Sequence, residues 1–368
     1  MLDWVIDNKE WLLSGAAVAV PLSILGYLFR WSRGQRAPQT NVNVNTSPSY
    51  VDTKEIALDV FRSNFEELAG EAKQVAENRA KEITEQALSR FAEIEQIEKS
   101  LVREPEFQHS LYTIQRQYAR TGNAEMGKFL VELLAEHCKS DKDTLTDKAL
   151  KESLDVVPKL TKRELSAASV IFILKYAQRK DLHHSSELNE YISRFCSPFM
   201  SELTKKDATY EHLFYTGVGS HNGRGIDLES TLRATYSRVF QKGVNEPTIK
   251  SLLDKWNKGW SVRAHPNKEA MYIFSALNIN TLKNDLSDSG CPESLISEII
   301  STYDSNVMSN YEIRSSITKF DQKLNSIFDT WNFSGMRYTN LTTVGIAIAH
   351  TNVQLNVEKM ADLSVWLS

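Results

Sequence analysis

Trp11–Phe29 reads WLLSGAAVAVPLSILGYLF, nineteen residues without a formal charge, and as a helix it would extend ~28 Å, the thickness of a bilayer hydrocarbon core. Its flanks give it a direction. Asp3, Asp7 and Glu10 outnumber Lys9 before it, whereas Arg30, Arg33 and Arg36 follow it. Basic residues stay on the cytoplasmic side, so the amino terminus is expected outside and the remainder of the chain inside a bacterial inner membrane. A cleaved signal peptide would start basic and end on small residues. This segment starts acidic and ends at Arg30-Trp31.

Trp4, Trp11, Tyr27 and Trp31 fall at the two headgroup levels, where amphipathic rings settle, and Pro21 is tolerated as a kink in a membrane helix. Gly15, Ala19 and Ser23 recur every four residues. They form a small-residue stripe on which two helices can approach closely. Residues 1–33 are therefore read as a single-pass anchor in contact with lipid and, through the stripe, with a second copy of the chain.

Residues 34–51 hold Pro38 and Pro48 among asparagines and glutamines with little bulky apolar content, the composition of an extended polar linker. Asn41-Val42-Asn43-Val44-Asn45 alternates with period two; alone such a strand buries nothing, so it is disordered or pairs with copies of itself. Asp52-x-x-Glu55 then resembles a capping box. Over 52–103 the apolar positions Phe61, Phe65, Leu68, Ala72, Val75, Ile83, Ala87, Phe91 and Ile94 are mostly three or four apart. That spacing predicts one long stalk or coiled-coil-like helix, interrupted weakly at Gly70, that packs partly on its own domain and partly on a partner copy, or else only within its own chain.

From 104 to 368 helix signals recur at short intervals: Glu104-Pro105, Gly122-Asn123, the capping pattern Thr161-x-x-Glu164, Glu246-Pro247 and Cys291-Pro292. The expected fold class is all-α, with an anchor, a stalk and a multi-helix cytoplasmic body. Near 216–227, TGVGSHNGRGID, glycines break the helical pattern, so either an internal boundary or a long loop inside one domain is expected there. Leu341–Gln354, LTTVGIAIAHTNVQ, is too short for a second span and reads as a core helix. At 41% apolar residues, a formal charge of -4 and pI near 6.1, the chain can fill hydrophobic cores but has no basic field for generic nucleic-acid binding. Cys138, Cys196 and Cys291 lie far apart and read as reduced thiols.

Gly217-Val218-Gly219 with Gly223 and Gly225 superficially resembles a phosphate loop, but no buried strand precedes it and no Gly-Lys-Ser/Thr follows. Within it Gly219, His221 and Arg224 are the ligand candidates. His183-His184 has no further residues at ligand spacing to complete a metal set. Trp256 and Trp260 with Lys255, Lys258 and Arg263 read first as an amphipathic helix with its tryptophans in the core. The residues assign no catalytic group, metal or cofactor.

Thr342-Thr343-Val344-Gly345-Ile346-Ala347-Ile348-Ala349-His350 with Asn352, and Asp362-Leu363-Ser364-Val365-Trp366-Leu367, resemble the C-terminal signature of an uncharacterised bacterial family. The long helix and Phe107–Leu134 are similar as well. The resemblance covers most of the cytoplasmic body, departs in the linker, and carries no activity or catalytic residue. The expectation is a membrane-anchored helical protein that self-associates and binds a protein partner or senses a signal, in antiviral or stress defence. The alternatives are a membrane-perturbing effector, or a sensor or enzyme with its site at the glycine-rich loop.

Overall fold

The computed structural model describes residues 50–65, 70–94 and 104–367. The anchor and linker, including Trp11, Gly15, Ala19, Pro21, Ser23, Arg30, Trp31, Arg33 and Arg36, lie outside the described residues. Among the described residues no helix is long and apolar enough to cross a membrane. The chain divides into two units, the first ending at Ser140 and the second running from Asp141.

The described part of the first unit contains α1 (Tyr50–Asn64), α2 (Glu71–Ala92), α3 (Pro105–Thr121) and α4 (Ala124–Lys139). One continuous stalk over 52–103 is thus replaced by separate helices. The helix begins at Tyr50, ahead of the Asp52 pattern, and α2 starts after Gly70, whose φ of 60° is left-handed. A glycine adopts that conformation without a Cβ penalty. The apolar seam turns inward: Phe61 and Phe65 stack at 4.6 Å and are buried with Ala76, Ala80 and Ala119.

Polar ties fix the helices of this unit against one another. The buried Gln115 amide donates to the Ala57 carbonyl (3.2 Å) and the Thr84 hydroxyl (2.9 Å), joining α3 to α1 and α2. Tyr112 donates to the Asn64 carbonyl at the end of α1 (2.9 Å), satisfying an acceptor that a helix terminus leaves open. Arg90 of α2 grips Glu132 of α4 through two parallel bonds of 2.7 and 2.8 Å, the geometry that favours arginine over lysine.

The second unit is mostly helical. It runs through α5 (Leu145–Val156), α6 (Lys162–Ile171), α7 (Ser185–Met200), α8 (Asp207–Tyr215), α9 (Leu228–Tyr236) and α10 (Glu246–Lys255). Then follow α11 (Ile279–Asp288), α12 (Glu293–Ser305), α13 (Asn310–Phe320), α14 (Asn325–Asn332), α15 (Thr343–Asn356) and α16 (Ser364–Leu367). Five short strands accompany them, which departs from a purely helical body. β1 (Gly219–His221) pairs antiparallel with β5 (Thr339–Leu341), and β4 (Met271–Phe274) lies between β2 (Val244–Asn245) and β3 (Val262–Ala264). Strands of two to four residues are too short to show an alternating pattern in sequence.

The core centres on α15, whose residues Gly345 to Val353 are all buried, as expected for a helix that is apolar all round. It packs mainly on α5 and α6. Thr342 caps it by accepting from the Gly345 N–H (3.1 Å). A Cβ at Gly345 would lie 1.9 Å from the Val218 carbonyl oxygen, so only glycine allows this approach. Trp256 and Trp260 are not on a helix. They follow the end of α10, where Trp260 stacks on Phe274 at 5.5 Å and the Trp256 indole donates to Ser289 Oγ (3.3 Å).

Candidate functional site

The glycine-rich segment is part of the second unit and no boundary between units. Helix α6 capped by Thr161 and Glu164 continues into a π-helical turn, Phe172–Tyr176, a local widening frequently found at functional sites. From that turn two polar side chains reach the outer edge of β5. The Lys175 ammonium donates to the Thr339 carbonyl (2.8 Å) and Asn340 Oδ1 (3.2 Å) and lies over the Trp331 ring at 5.5 Å. The Tyr176 hydroxyl accepts from the Leu341 N–H (2.9 Å). These groups take the place of a third strand at an edge that would otherwise present unpaired backbone. Burial draws the Lys175 pKa down to about 8 and raises that of Tyr176.

On the other side of the ribbon is an open cleft of about 410 Å³. One wall is a face of α8, where Asp207, Tyr210, Glu211 and Phe214 line the cleft at helical spacing. Tyr210 is buried, donates to the Thr204 carbonyl (2.7 Å), and has its pKa raised to about 12 by desolvation. The opposite wall is Asn332–Gly335 with Arg337 and Tyr338. Gly335 has no room for a side chain, since a Cβ would meet Tyr210 at 2.6 Å.

His221 stands between the walls. Its ring is parallel to Tyr338 at 5.4 Å and edge-on to Phe214 at 5.7 Å. Aromatic faces hold it, and no hydrogen bond to its ring is present among the described residues. Gly219 is the first residue of β1, buried, with 3.1 Å from a would-be Cβ to Thr339, and it is not among the residues lining the cleft. Arg224 is exposed, is not among the lining residues, and its backbone N–H bonds Asn222 Oδ1 (3.4 Å). Of the three candidates, only His221 lines the cleft.

Arg337, which sequence reasoning missed, locks the far wall. It donates to the Asn332 carbonyl (3.1 Å), pairs with Asp227 (2.9 Å) and covers Tyr338 at 5.5 Å. Gly225 passes so close that a Cβ would meet Arg337 Nε at 2.6 Å. Two exposed aromatic residues belong to the segments that form the walls: Phe333, 68% exposed, lines the cleft, and Tyr215, 86% exposed, is the last residue of α8. Tyr215 rests on His212 at 6.1 Å, and His212 is held by the buried Glu164 at 2.5 Å. Lys205 lies over Phe333 at 5.6 Å. No signal in sequence could have joined residues 207–221 to 332–338, since their pairing is set by tertiary structure.

His183 and His184 precede α7, where Glu187 Oε2 accepts both backbone N–H groups (2.6 and 3.0 Å). Among the described residues no group of three or more His, Cys, Asp or Glu side chains is placed to hold a metal ion.

A family model matches residues 47–367, and the chain belongs to that family, one of unknown function. The family resemblance carried by the Thr342–Asn352 and Asp362–Leu367 stretches is thereby established. No curated protein and no solved structure matches the chain.

Proposed function

We propose that this member of the family is a membrane-tethered, non-enzymatic binding protein whose cleft takes a basic, extended segment of a protein partner. In this reading the Trp11–Trp31 segment holds it at the bacterial inner membrane with the helical body on the cytoplasmic side. The stripe of Gly15, Ala19 and Ser23 brings copies together, and the biological setting is antiviral or stress defence. The supporting observation is Phe333, an exposed aromatic ring in a cleft lined by Asp207 and Glu211, with a second exposed ring, Tyr215, next in sequence to the cleft-lining Phe214. These two carboxylates are exposed and have no cationic partner among the described residues. Aromatic faces with free carboxylates suit lysine or arginine side chains.

The cleft volume also lies within the range of small-molecule sites, which favours a ligand-sensing role as the second reading. The two are separated by placing a photo-crosslinking residue at position 215 or 333 of the full-length protein in its host. The partner reading expects a discrete protein adduct that disappears when Asp207→Asn and Glu211→Gln are combined. An adduct equally strong from the exposed Tyr311 position, or none at all, overturns it. Separately, removal of residues 1–49 should release the protein from the membrane fraction; persistence there contradicts the tether.

A further inference from the structure

The segment Lys180–His184 is fastened by two arginines through its backbone. Arg238, only 8% exposed, donates to the carbonyls of Lys180 (2.9 Å), Leu182 and Ser275 (3.3 Å). Arg263 donates to the carbonyl of His183 (2.8 Å). Neither guanidinium has a carboxylate partner among the described residues, and Nε of each is buried without a hydrogen bond. Two nearby positive charges that are hydrogen-bonded only to neutral acceptors lack a direct ion pair, and only the non-contacting Glu187 and Asp181 offset the charge of Arg238.

The neighbouring groups sharpen that imbalance. Burial and then the charge of Arg263 lower the Arg238 pKa. His183 is lowered by partial desolvation and then by Arg238 and Arg263. The two nearby acids are already engaged: Asp181 by Arg179 at 2.6 Å, and Glu187 by the backbone N–H groups of His183 and His184. His183 and His184 are exposed, and Arg263 is partly so. A surface of exposed imidazole and guanidinium therefore lies over a buried positive charge.

The geometry points to an oxyanion-binding site at Arg263 and His183, with Arg238 supplying charge from beneath, that takes a phosphate group. Arg263 uses one of its five N–H donors on the protein and its Nε–H is buried, so the remaining N–H groups of the terminal amino nitrogens are the ones that would meet phosphate oxygens. His183 supplies an imidazole beside them, and the anion offsets the repulsion between the arginines. The Glu187 carboxylate limits how far the anion can approach the α7 terminus, placing it on the Arg263 side. The site shares no residue with the aromatic cleft.

The test uses the full-length protein in detergent at constant ionic strength, titrated with inorganic phosphate and pyrophosphate against chloride. Saturable binding by calorimetry, with a rise in melting temperature, is expected. Arg263→Gln should weaken binding about tenfold, the scale of one charge-assisted bond, and His183→Gln should weaken it by less, since burial and the arginines favour the neutral imidazole, while Arg224→Gln leaves it unchanged. Arg263→Lys keeps the charge without the fork and should fall between wild type and Arg263→Gln; this guards against a simple folding defect. No saturable binding, or equal binding by Arg263→Gln, overturns the site. Reconstitution in phosphatidylcholine vesicles with and without phosphatidylglycerol identifies the source. Competition by the anionic lipid assigns a headgroup, and unchanged phosphate affinity assigns a free phosphate compound.

Discussion

Helix α15 and the glycine-rich segment Thr216–Asp227 touch where Gly345 meets Val218, yet they use their residues in opposite ways. Gly345 to Val353 are buried without exception, and His350 packs edge-on against Phe172 at 6.0 Å and beside Trp366 at 5.3 Å. The segment before the cleft leaves His221 and Arg224 exposed. The C-terminal signature that carries the family resemblance is thus a packing device. In the proposed reading, recognition belongs to the less regular polypeptide laid against it.

The sharpest way to break this contrast is at their contact. Gly345→Val puts a side chain where the Val218 carbonyl already stands at 1.9 Å from the first added carbon. The turn carrying β1 would have to part from α15, at a cost of about 3 kcal/mol or more. Chemical denaturation of the full-length protein should show this as a large fall in stability of the second unit. A loss near zero would mean that the helix and β1 are not locked together. Next in size is Trp366→Ala. It removes an edge contact to Phe172 at 5.1 Å and a hydrogen bond from the indole to the Tyr176 carbonyl (3.0 Å). About 3 kcal/mol is expected for removing a large, well-packed aromatic, read in the same denaturation experiment.

Much of the core side of the comparison is legible in sequence because it rests on local rules. Thr161 and Glu164 form the capping box their spacing implies, Gly122 ends α3 in the left-handed conformation, and the apolar run after Thr342 becomes the buried helix. Leu341 alone leaves that run, entering β5 as its last residue. The cleft was legible only at His221. Its other wall lies more than a hundred residues along the chain, and the pairing of Gly219 with Leu341 is a long-range choice that no short pattern encodes. The stalk misled for a related reason: a three-and-four spacing of apolar residues suits a packed hairpin of helices as well as one long helix. Gly70 decides between them.

Between core and cleft stands Lys175, whose charge is the pH-dependent part of the comparison. Its folded pKa is depressed to about 8 from an ordinary 10.5. Between those values the unfolded chain binds more protons than the folded one, so this group's contribution rises with pH through the window and is lost as pH falls back to 8. Stability measured from pH 8 to 10 should therefore show a rise that Lys175→Met lacks. A wild type and variant with parallel pH profiles would place the ammonium in solvent.

The smallest effect on stability belongs to the rim. Tyr215 and Phe333 expose most of their surface, so truncating either to alanine gives up little buried apolar area and should change stability by about 0.5 kcal/mol or less. Phe333→Ala also ends the contact with Lys205 at 5.6 Å, an exposed cation–π pair of similarly small value. The contrast with Gly345→Val then becomes a separation of fold from recognition. The double variant Tyr215→Ala/Phe333→Ala should melt with the wild type and no longer retain, in co-purification, the partner that the crosslink identifies. If it loses stability on the scale of Trp366→Ala, the two rings are structural and the cleft is part of the same packing as α15. If it melts normally and still retains the partner, recognition lies on another face of the protein.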